Sequence, residues 1–300
     1  MTSTEKKTPS NKEESVFDWL KTLPPREGNI FFSLCEGGKK TVNKSKLKEA
    51  LFDSGLQIND FRLRSFFEKL DRHRSNEIEF EDYIKPLEDR WSKFINHNDQ
   101  KLLVHSNDYG YFNLEVKSNW KFAIENYCES YHLPTIHPEL NKVSNINDHY
   151  HIQGLPNRFA GQGSEKYEQP VKGNKKFDTF KNWDKKSIKN SEYIALFPNV
   201  MIGLHIDHYY VFWLEPLATN KTKEHMQMYY VGDKSANGEE LKELRIENAR
   251  FWKDVMLEDI NAIEGMQAGR GSPVYNGGNF SPVMDSPTHQ FHKWVANSLI

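Results

Sequence analysis

Strand-like runs over residues 110–116, 194–204, 208–215 and 223–232 lead into one long amphipathic segment, residues 239–267. Alternating apolar residues and β-branched or aromatic side chains predict the strands, and apolar residues at helical spacing predict one long helix. Strands followed by a long covering helix are typical of an α+β domain with an antiparallel sheet. We therefore predict an α+β fold for the C-terminal two-thirds of the chain.

The N-terminal third differs from the rest of the chain in its composition and in the spacing of its apolar residues. Residues 1–14 are polar and charged without periodicity, which predicts a disordered tail. Residues 15–98 have helical spacing and dense charges of both signs, whereas aromatic residues, Gly, Pro and His become frequent further along. We place a boundary near residues 98–103, in the polar stretch 98–101. The sequence thus predicts a small all-α domain over 15–98 and a larger domain over 104–300.

The small domain resembles a degenerate EF-hand pair. Residues 71–82 have the outline of a calcium loop, with Ile78 at the apolar eighth position and Val42 as the matching residue of a paired loop. A calcium loop needs an oxygen ligand at its third position and a bidentate Glu at its twelfth, but His73 and Asp82 stand there. We expect an EF-hand shape without calcium binding at physiological concentrations. A plain helical bundle is the alternative.

Composition argues against several classes of protein. The 40 Lys and Arg residues balance 42 Asp and Glu residues, whereas phosphate contacts to nucleic acid need clustered positive charge. No apolar run approaches the ~18 residues of a membrane span, and the polar N-terminus lacks the apolar core of a secretory signal. The two cysteines, Cys35 and Cys128, cannot form a disulfide framework. We expect a cytoplasmic protein with neither nucleic acid nor membrane as a partner.

Residues 119–138, NWKFAIENYCESYHLPTIHP, carry the most informative side chains. Apolar residues at helical spacing predict a helix here. On that helix Glu125, Glu129 and His132 would share one face. Burying two carboxylates and an imidazole together is costly unless they pair or bind a metal. The segment therefore predicts half of a metal site.

A second histidine and a distant acid can complete that site. We expect Pro134 to end the helix just after His132, so that a turn can bring His137 to the same ion. On the long helix, Glu258 and Asp259 lie near the apolar stripe, and spacing alone cannot separate them. Two histidines and one carboxylate leave coordination positions free, which favours non-haem Fe(II). The same ligands can also hold zinc.

The order of the motifs resembles the catalytic domain of Rieske non-haem iron oxygenase α-subunits. These are the ring-hydroxylating oxygenases and their choline- and carnitine-type monooxygenase relatives. The pieces are Asn-Trp-Lys, Glu-Asn-Tyr, Glu-x-Tyr-His-x4-His and a distant Glu-Asp-Ile-x3-Glu-x2-Gln. The resemblance implies a helix-grip, START-like fold and a homo-oligomer, specifically a trimer. It also implies a mono- or dioxygenase that hydroxylates or demethylates a small organic substrate with dioxygen.

The resemblance also implies roles for single residues. His132, His137 and Asp259 would be the ligands of a mononuclear Fe(II), and Asn126 would be a polar residue near the iron. Glu129 would link the iron to the Rieske centre of a neighbouring subunit, and a Glu at this position is typical of the choline- and carnitine-type branch. From the residues alone, Glu129 can equally be a carboxylate that only orients His132.

The chain departs from the family pattern in its cysteines. A Rieske [2Fe–2S] cluster needs Cys-x-His and Cys-x-x-His, and neither Cys35 nor Cys128 has that setting. We therefore expect no [2Fe–2S] cluster in this chain and an external Rieske or ferredoxin-type electron donor. The alternative is a non-catalytic small-ligand-binding or regulatory protein. A zinc hydrolase is disfavoured because the sequence has no His-Glu-x-x-His motif.

Four further histidines are weaker candidates. His205 and His208 belong to a run, residues 200–214, that predicts two strands meeting at a turn. We expect both to be ordinary strand and turn residues, with pocket lining near the iron as the alternative. His149 and His151 flank Tyr150 in a predicted loop or strand, and we expect both at the surface.

Overall fold

The computed structural model describes residues 41–45, 48, 77–95, 103–106, 109–154, 158–168 and 174–299. The predicted tail, Cys35 and most of the EF-hand-like domain lie outside these residues. The domain bounds and the EF-hand pair therefore stay predictions.

The described part of the N-terminal third includes a small antiparallel pair of strands and one helix. Strand β1 (Thr41–Asn43) pairs with β2 (Glu77–Glu79), and Val42 lies directly opposite Ile78. These are the two apolar positions that the sequence assigns to paired loops. Helix α1 (Phe80–Trp91) follows β2 without a break.

The larger part of the chain is built on an antiparallel sheet of eight strands, in the order β3-β10-β9-β8-β7-β6-β5, with β4 also paired to β10. The strands are β3 (Leu103–His105), β4 (Tyr111–Val116), β5 (His149–Ile152), β6 (Phe159–Ser164), β7 (Ser191–Leu196), β8 (Val200–Leu204), β9 (His208–Ala218) and β10 (Lys221–Val231). Sequence neighbours β5 to β10 pair in succession. The predicted α+β fold with an antiparallel sheet is confirmed.

One long helix dominates the inner face of this sheet. The helices are α2 (Trp120–Cys128), α3 (Leu133–Ile136), α4 (Pro138–Val143), α5 (Gly232–Asn237), α6 (Lys242–Arg270) and α7 (Ser286–Leu299). Helix α6 is 29 residues long and buries Trp252, Val255 and Ile263 in a core shared with Tyr210 and Met228 of the sheet. The predicted long helix is confirmed. Within the described ranges, no helix has the length and apolarity needed to cross a bilayer.

The outer face of the sheet is covered by α1. Successive side chains of a strand point to opposite faces, so Ile194 and Val211 leave the inner core and join a second cluster. In that cluster they meet Ile84, Leu87 and Trp91 of α1. The sheet therefore buries apolar side chains on both faces.

The structure differs from the sequence predictions in several elements, among them β7 and β8, β6 and α7. The single predicted strand 194–204 is two strands, β7 and β8, because a turn with a cis Phe197–Pro198 peptide separates them. Strand β6 was not predicted because its sequence, FAGQGS, contains two glycines and few residues that favour strands. Helix α7 was also missed.

Candidate metal centre

The segment that carries the first histidine is not one helix. Helix α2 ends at Cys128, and Glu129 already has extended backbone angles. The Glu129 carboxylate accepts hydrogen bonds from the backbone N–H groups of Tyr131, at 2.6 Å, and His132, at 3.3 Å. Pro134 lies in the first turn of α3 rather than at the end of a longer helix. The predicted shared helical face is wrong, because the Glu129 side chain bonds the next backbone groups and ends the helix early.

Three side chains nevertheless converge. His132, His137 and Asp259 each offer one ligand atom, and these atoms lie within 4.8 Å of one another. The Oδ1 atom of Asp259 is 2.9 Å from Nε2 of His137 and 3.8 Å from Nε2 of His132. His137 is buried and the other two are half-buried. Two imidazoles and one carboxylate at this spacing fit a single transition-metal ion with open positions.

Two carboxylates hold the imidazole rings from behind. Nδ1 of His137 is 2.8 Å from Oε2 of Glu258, and Nδ1 of His132 contacts Oε1 of Glu129. Because an ionised carboxylate only accepts, each Nδ1 carries a hydrogen and each Nε2 can present its lone pair to a metal. The geometry thus places Asp259 in the cluster and Glu258 behind it. Glu129 contacts His132 as a carboxylate that orients the imidazole, which is the role that the residues alone allow for it.

The carboxylates around His137 favour a positive charge on or beside its imidazole ring. Burial works to lower the pKa of His137, but the hydrogen bonds and negative charges of Asp259 and Glu258 outweigh it and raise the pKa above its usual value. A divalent cation would be stabilised by the same two carboxylates. The electrostatics therefore agree with the donor set.

Asn126 joins the two helices that frame the cluster. Its side-chain amide on α2 donates to Oδ1 of Asp259 on α6 at 2.7 Å. The orientation of this amide follows from the hydrogen bond, since carboxylate oxygen only accepts. Asn126 therefore orients the Asp259 carboxylate.

A pocket of about 50 Å³ opens beside the three ligand atoms. Its aromatic lining comes from α2, the sheet and α6 and consists of Tyr127, Tyr193, Tyr210 and Trp252. None of the described lining residues is Lys or Arg. The pocket is thus walled by ring faces and by polar groups without a full positive charge of their own.

One wall of the pocket is a chain of hydrogen bonds. Nε2 of His149 is 2.9 Å from Oγ of Ser144, and its Nδ1 is 2.8 Å from Oε1 of Gln162. The Gln162 amide donates in turn to the carbonyl of Glu129 at 2.6 Å. Burial is the main influence on His149 and lowers its pKa. The structure places His149 in the pocket, not at the surface, and sequence periodicity alone gave no signal for Gln162 or Ser144.

A second, larger cavity of about 550 Å³ lies where Glu129 and His132 face outward. Glu125, which was expected beside Glu129, instead pairs with Arg270 at 2.5 Å and His292 at 3.0 Å on the wall of this cavity. Its apolar lining includes the exposed rings Tyr131, Tyr275 and Phe280. Glu129 therefore contacts both the metal-ligand histidine and an open surface cavity.

One buried acid near the cluster was not predicted. Glu224 lies on the inner face of β10 and is 3% exposed. Burial, and to a lesser degree the charge of Asp259, raises the pKa of Glu224 to about 8. Its carboxyl group is therefore largely protonated at neutral pH.

Comparison with known families supports the motif assignment. The model of the family described as "Ring hydroxylating alpha subunit (catalytic domain)" matches residues 103–299. The putrescine 2-hydroxylase of Bordetella bronchiseptica is 28% identical over 190 residues, which cover 59% of this chain and 42% of that protein. The chloroplastic choline monooxygenase of Spinacia oleracea is 26% identical over 186 residues, which cover 61% of this chain and 38% of that protein.

A solved structure shows the same fold. The quaternary ammonium Rieske monooxygenase CntA is 20% identical, with a TM-score of 0.56 over 73% of this chain and 56% of that chain. The matched part of this chain spans about half or less of the length of the curated relatives.

Proposed function

The chain belongs to the ring-hydroxylating α-subunit family through its catalytic domain, and on that premise we propose that it is an Fe(II)-dependent oxygenase of a small organic substrate. The observation that carries the proposal is the convergence of His132, His137 and Asp259 within 4.8 Å beside a pocket. The iron would be held by these three residues. When bound, mononuclear non-haem Fe(II) supplies the activation of dioxygen that insertion of oxygen into a C–H bond requires.

The residues around the ligands define what the protein itself contributes. Glu129 and Glu258 keep the two imidazoles in the tautomer that can coordinate, and Asn126 keeps the Asp259 carboxylate turned toward them. The aromatic lining of the pocket would position the substrate. Such fixed groups act by orienting the reacting partners.

We infer that the substrate is an aliphatic amine. Putrescine and choline, named for two relatives, are both small alkyl ammonium compounds. Four aromatic rings line the pocket, and ring faces attract ammonium groups. Among the described lining residues, no side chain carries the fixed positive charge that would repel such a substrate.

The electrons come, in this proposal, from a separate Rieske or ferredoxin-type protein. Hydroxylating a C–H bond with dioxygen leaves one oxygen atom to be reduced to water, which takes two electrons and two protons. The sequence has two cysteines, and Cys128 is fully buried in α2. The 550 Å³ cavity beside Glu129 is the entry point we propose for the donor. Homotrimeric assembly and a cytoplasmic location stay predictions.

Oxygen consumption coupled to product formation tests the proposal. The full chain, loaded with Fe(II), receives 1,4-diaminobutane or choline and a reductase, with or without a compatible Rieske protein. We expect no sustained turnover without the Rieske protein and multiple turnovers with it. Sustained turnover with the reductase alone would contradict the external donor. Iron binding without turnover of any amine, even with a cognate donor, would favour the non-catalytic binding protein.

A single substitution tests the role of Glu129. Glu129→Gln keeps one acceptor oxygen, which can still accept the hydrogen of His132 Nδ1, and removes the charge from the path between cavity and His132. We expect iron to remain bound and the donor-dependent rate to fall. Glu264→Gln, which changes an α6 carboxylate that accepts from the backbone of Lys117, is the matched control and should keep the rate. Equal rates for both variants would remove Glu129 from the electron path.

A further inference from the structure

Trp252 lines the pocket two turns of α6 away from Asp259. The two residues are seven positions apart, which is about 10 Å along the helix, and they share one helix face. The indole ring packs against Tyr210 with centroids 4.8 Å apart, and the residue is 1% exposed. Trp252 is therefore a wall of the pocket at the end of α6 that is remote from the metal ligand.

The indole N–H of Trp252 is already bound within the protein. Its Nε1 is 2.9 Å from Nε2 of His208, and Nδ1 of the same imidazole is 2.7 Å from the Asp207 carboxylate. Because an indole N–H only donates, Nε2 of His208 keeps its lone pair and the hydrogen of the ring is on Nδ1. Asp207 thus fixes the tautomer of His208 that can accept from Trp252.

His208 does not itself reach the pocket. It begins β9 and stacks on His205 with centroids 4.3 Å apart, and neither histidine is among the described residues that line the pocket. A backbone hydrogen bond of 3.0 Å from His205 to the carbonyl of His208 closes the turn between β8 and β9. The side chain of His208 is fully buried, and that of Asp207 is 13% exposed. His208 can therefore act on a substrate only through Trp252.

The bond to His208 decides what Trp252 offers a substrate. The only polar hydrogen of the indole is bound, so the ring presents its apolar surface and its π-face to the pocket and no hydrogen-bond donor. Aromatic faces carry negative charge, and a tryptophan face is the best aromatic partner of a cation. This wall is therefore suited to an ammonium or alkyl group and not to a carboxylate.

Polar hydrogens on the opposite wall of the pocket are bound in the same way. The Gln162 amide donates to two backbone carbonyls, of Glu129 at 2.6 Å and of Tyr127 at 3.3 Å. Its Oε1 therefore accepts from Nδ1 of His149. Burial lowers the pKa of His149, so the ring is neutral and its Nε2 accepts from Ser144. Gln162, His149 and Ser144 thus keep no polar hydrogen for an anion.

We propose that Asp207 and His208 are positioning residues for Trp252, which hold its indole as the remote wall of the pocket and bind its N–H, so that this wall selects an ammonium group over a carboxylate at that end of the substrate. Trp252 is the specificity-determining residue, and Asp207 and His208 act through it. The inference rests on the proposed function, because it takes the substrate to be an amine.

Calorimetric binding to the full chain tests the inference, with and without Fe(II) and in the absence of oxygen. The probes share one ammonium group and differ at the other end. They are 1,4-diaminobutane, 1-aminopentane, which has a methyl group in place of the second amine, and 4-aminobutanoate, which has a carboxylate. The preference is the ratio of the affinities for the diamine and for 1-aminopentane.

The variants separate the hydrogen bond from the ring. His208→Phe keeps a ring against His205 and removes both nitrogens. His208→Gln keeps an oxygen that can accept from Trp252 and an amide that can donate to Asp207. Asp207→Ala, at a partly exposed position, frees the tautomer of His208 without emptying the core. Trp252→Leu removes the wall itself and is also combined with His208→Phe.

His225→Phe is the matched control. His225 is a fully buried histidine on the outer face of the sheet, where its Nε2 is 2.8 Å from Glu215 and its Nδ1 is 2.8 Å from the hydroxyl of Tyr111. It also lies between a carboxylate and an aromatic side chain, but none of these three residues lines the pocket. A loss of preference caused by a general loss of stability would appear in this variant too.

We expect the unsubstituted chain to bind 4-aminobutanoate about tenfold more weakly than the diamine, and His208→Phe to lower the preference about fivefold, as loss of a cation–π contact predicts. Asp207→Ala should lower the preference less, and His208→Gln and His225→Phe should keep it within about twofold. The double variant should match Trp252→Leu alone, because a residue that acts through Trp252 has no effect once Trp252 is removed.

The indole N–H resonance of Trp252 gives a second readout that needs no substrate. Among the seven tryptophans, labelled with an isotope of nitrogen, it is the resonance that disappears in Trp252→Leu. We expect it downfield, as for a hydrogen bound to an imidazole nitrogen. It should move upfield in His208→Phe and stay close to its position in His208→Gln.

Three results would overturn the inference. An unchanged preference in His208→Phe would mean that packing alone holds the ring. A further loss on adding His208→Phe to Trp252→Leu would mean that His208 does not act through Trp252. An equal loss for all three probes would mean that the wall selects no charge.

Iron content, measured in parallel, separates failure of the inference from failure of the proposed function. A chain that binds iron but prefers 4-aminobutanoate to the diamine would keep the oxygenase and overturn the inference. A chain that binds no iron but shows the His208-dependent preference would support the inference and contradict the oxygenase.

Discussion

Carboxylates are buried on both sides of the central sheet, but the groups that contact them differ. On the outer face, Glu192 of β7 has a fully buried side chain and accepts from Arg90 at 2.8 Å twice, from Trp91 at 3.0 Å and from Tyr150 at 3.1 Å. On the inner face, Asp259 meets two imidazoles and an amide. On the outer face the Glu192 carboxylate is paired with the Arg90 guanidinium, which indicates a structural role. On the inner face, acids and imidazoles lie together, and none of the described residues that line the pocket is Lys or Arg. That arrangement indicates a site for a cation.

The largest effect is expected on the outer face. Glu192→Ala would leave the Arg90 guanidinium and the Trp91 and Tyr150 donors without their acceptor. Removing one partner of a buried ion pair costs about 3–5 kcal/mol, and we expect that loss in the free energy of unfolding from urea titration. Iron binding should be unchanged. A loss below about 1 kcal/mol would show that α1 is not held by this network. Glu192→Gln keeps an acceptor, so its free energy of unfolding should lie between those of the unsubstituted chain and Glu192→Ala.

The inner face should respond to pH through Glu224. Its pKa of about 8 exceeds its usual value of 4.5, so the unfolded chain loses this proton at lower pH than the folded chain does. The contribution of Glu224 to stability therefore falls as pH rises from 4.5 to 8. In the metal-free chain, Glu224→Gln should remove that fall and be more stable at pH 7 by about 3 kcal/mol.

At pH 4 the two metal-free chains should have nearly the same free energy of unfolding, because Glu224 is then protonated in both states. Urea titrations at pH 4, 6, 7 and 8 give the comparison. Curves that stay parallel across this range would contradict a raised pKa for Glu224.

A smaller effect should separate Glu258 and Asp259, the two adjacent acids in the middle of α6. Glu258 bonds Nδ1 of His137 and is not within the cluster of ligand atoms. Loss of such an orienting carboxylate typically weakens metal affinity by roughly 10–100-fold, so Glu258→Ala should still bind Fe(II), only less tightly. Competition with a chelator measures the affinity. Complete loss of binding would make Glu258 a ligand.

The smallest effect is expected from an exposed ion pair on α1. Lys85 and Asp89 are 56% and 62% exposed in their side chains. Exposed pairs of this spacing contribute about 0.3–0.5 kcal/mol, so Lys85→Ala should change the free energy of unfolding by no more than that. A loss comparable with that of Glu192→Ala would mean that burial is not what distinguishes the two pairs.

The parts of the fold that could be predicted from the sequence are those in which apolar residues recur at regular spacing. The long helix and the strand pair over β8 and β9 have regular apolar spacing and are confirmed, as are the family resemblance and its choline- and carnitine-type branch. The predicted course of the chain between Cys128 and His137 was wrong. The Glu129 side chain accepts hydrogen bonds from the following backbone N–H groups and ends the helix. A prolyl residue two positions after His132 was the available signal, since Pro is common in a first helical turn.

The parts of the site that were missed come from distant strands. Gln162, His149 and Glu224 lie on three different strands and reach the site only through strand pairing. No local pattern relates them to His132 and His137, which flank α3. A motif can therefore indicate the ligands of a metal, while the pocket around them requires the tertiary structure.

The iron content of the purified full chain, reconstituted with Fe(II) without oxygen, tests the central claim most directly. We predict about one Fe per chain, as a single site requires, and none in His132→Ala, His137→Ala or Asp259→Ala. Glu258→Ala should retain iron under the same conditions. Full iron in both histidine variants, or iron kept by Asp259→Ala and lost by Glu258→Ala, would contradict the assignment.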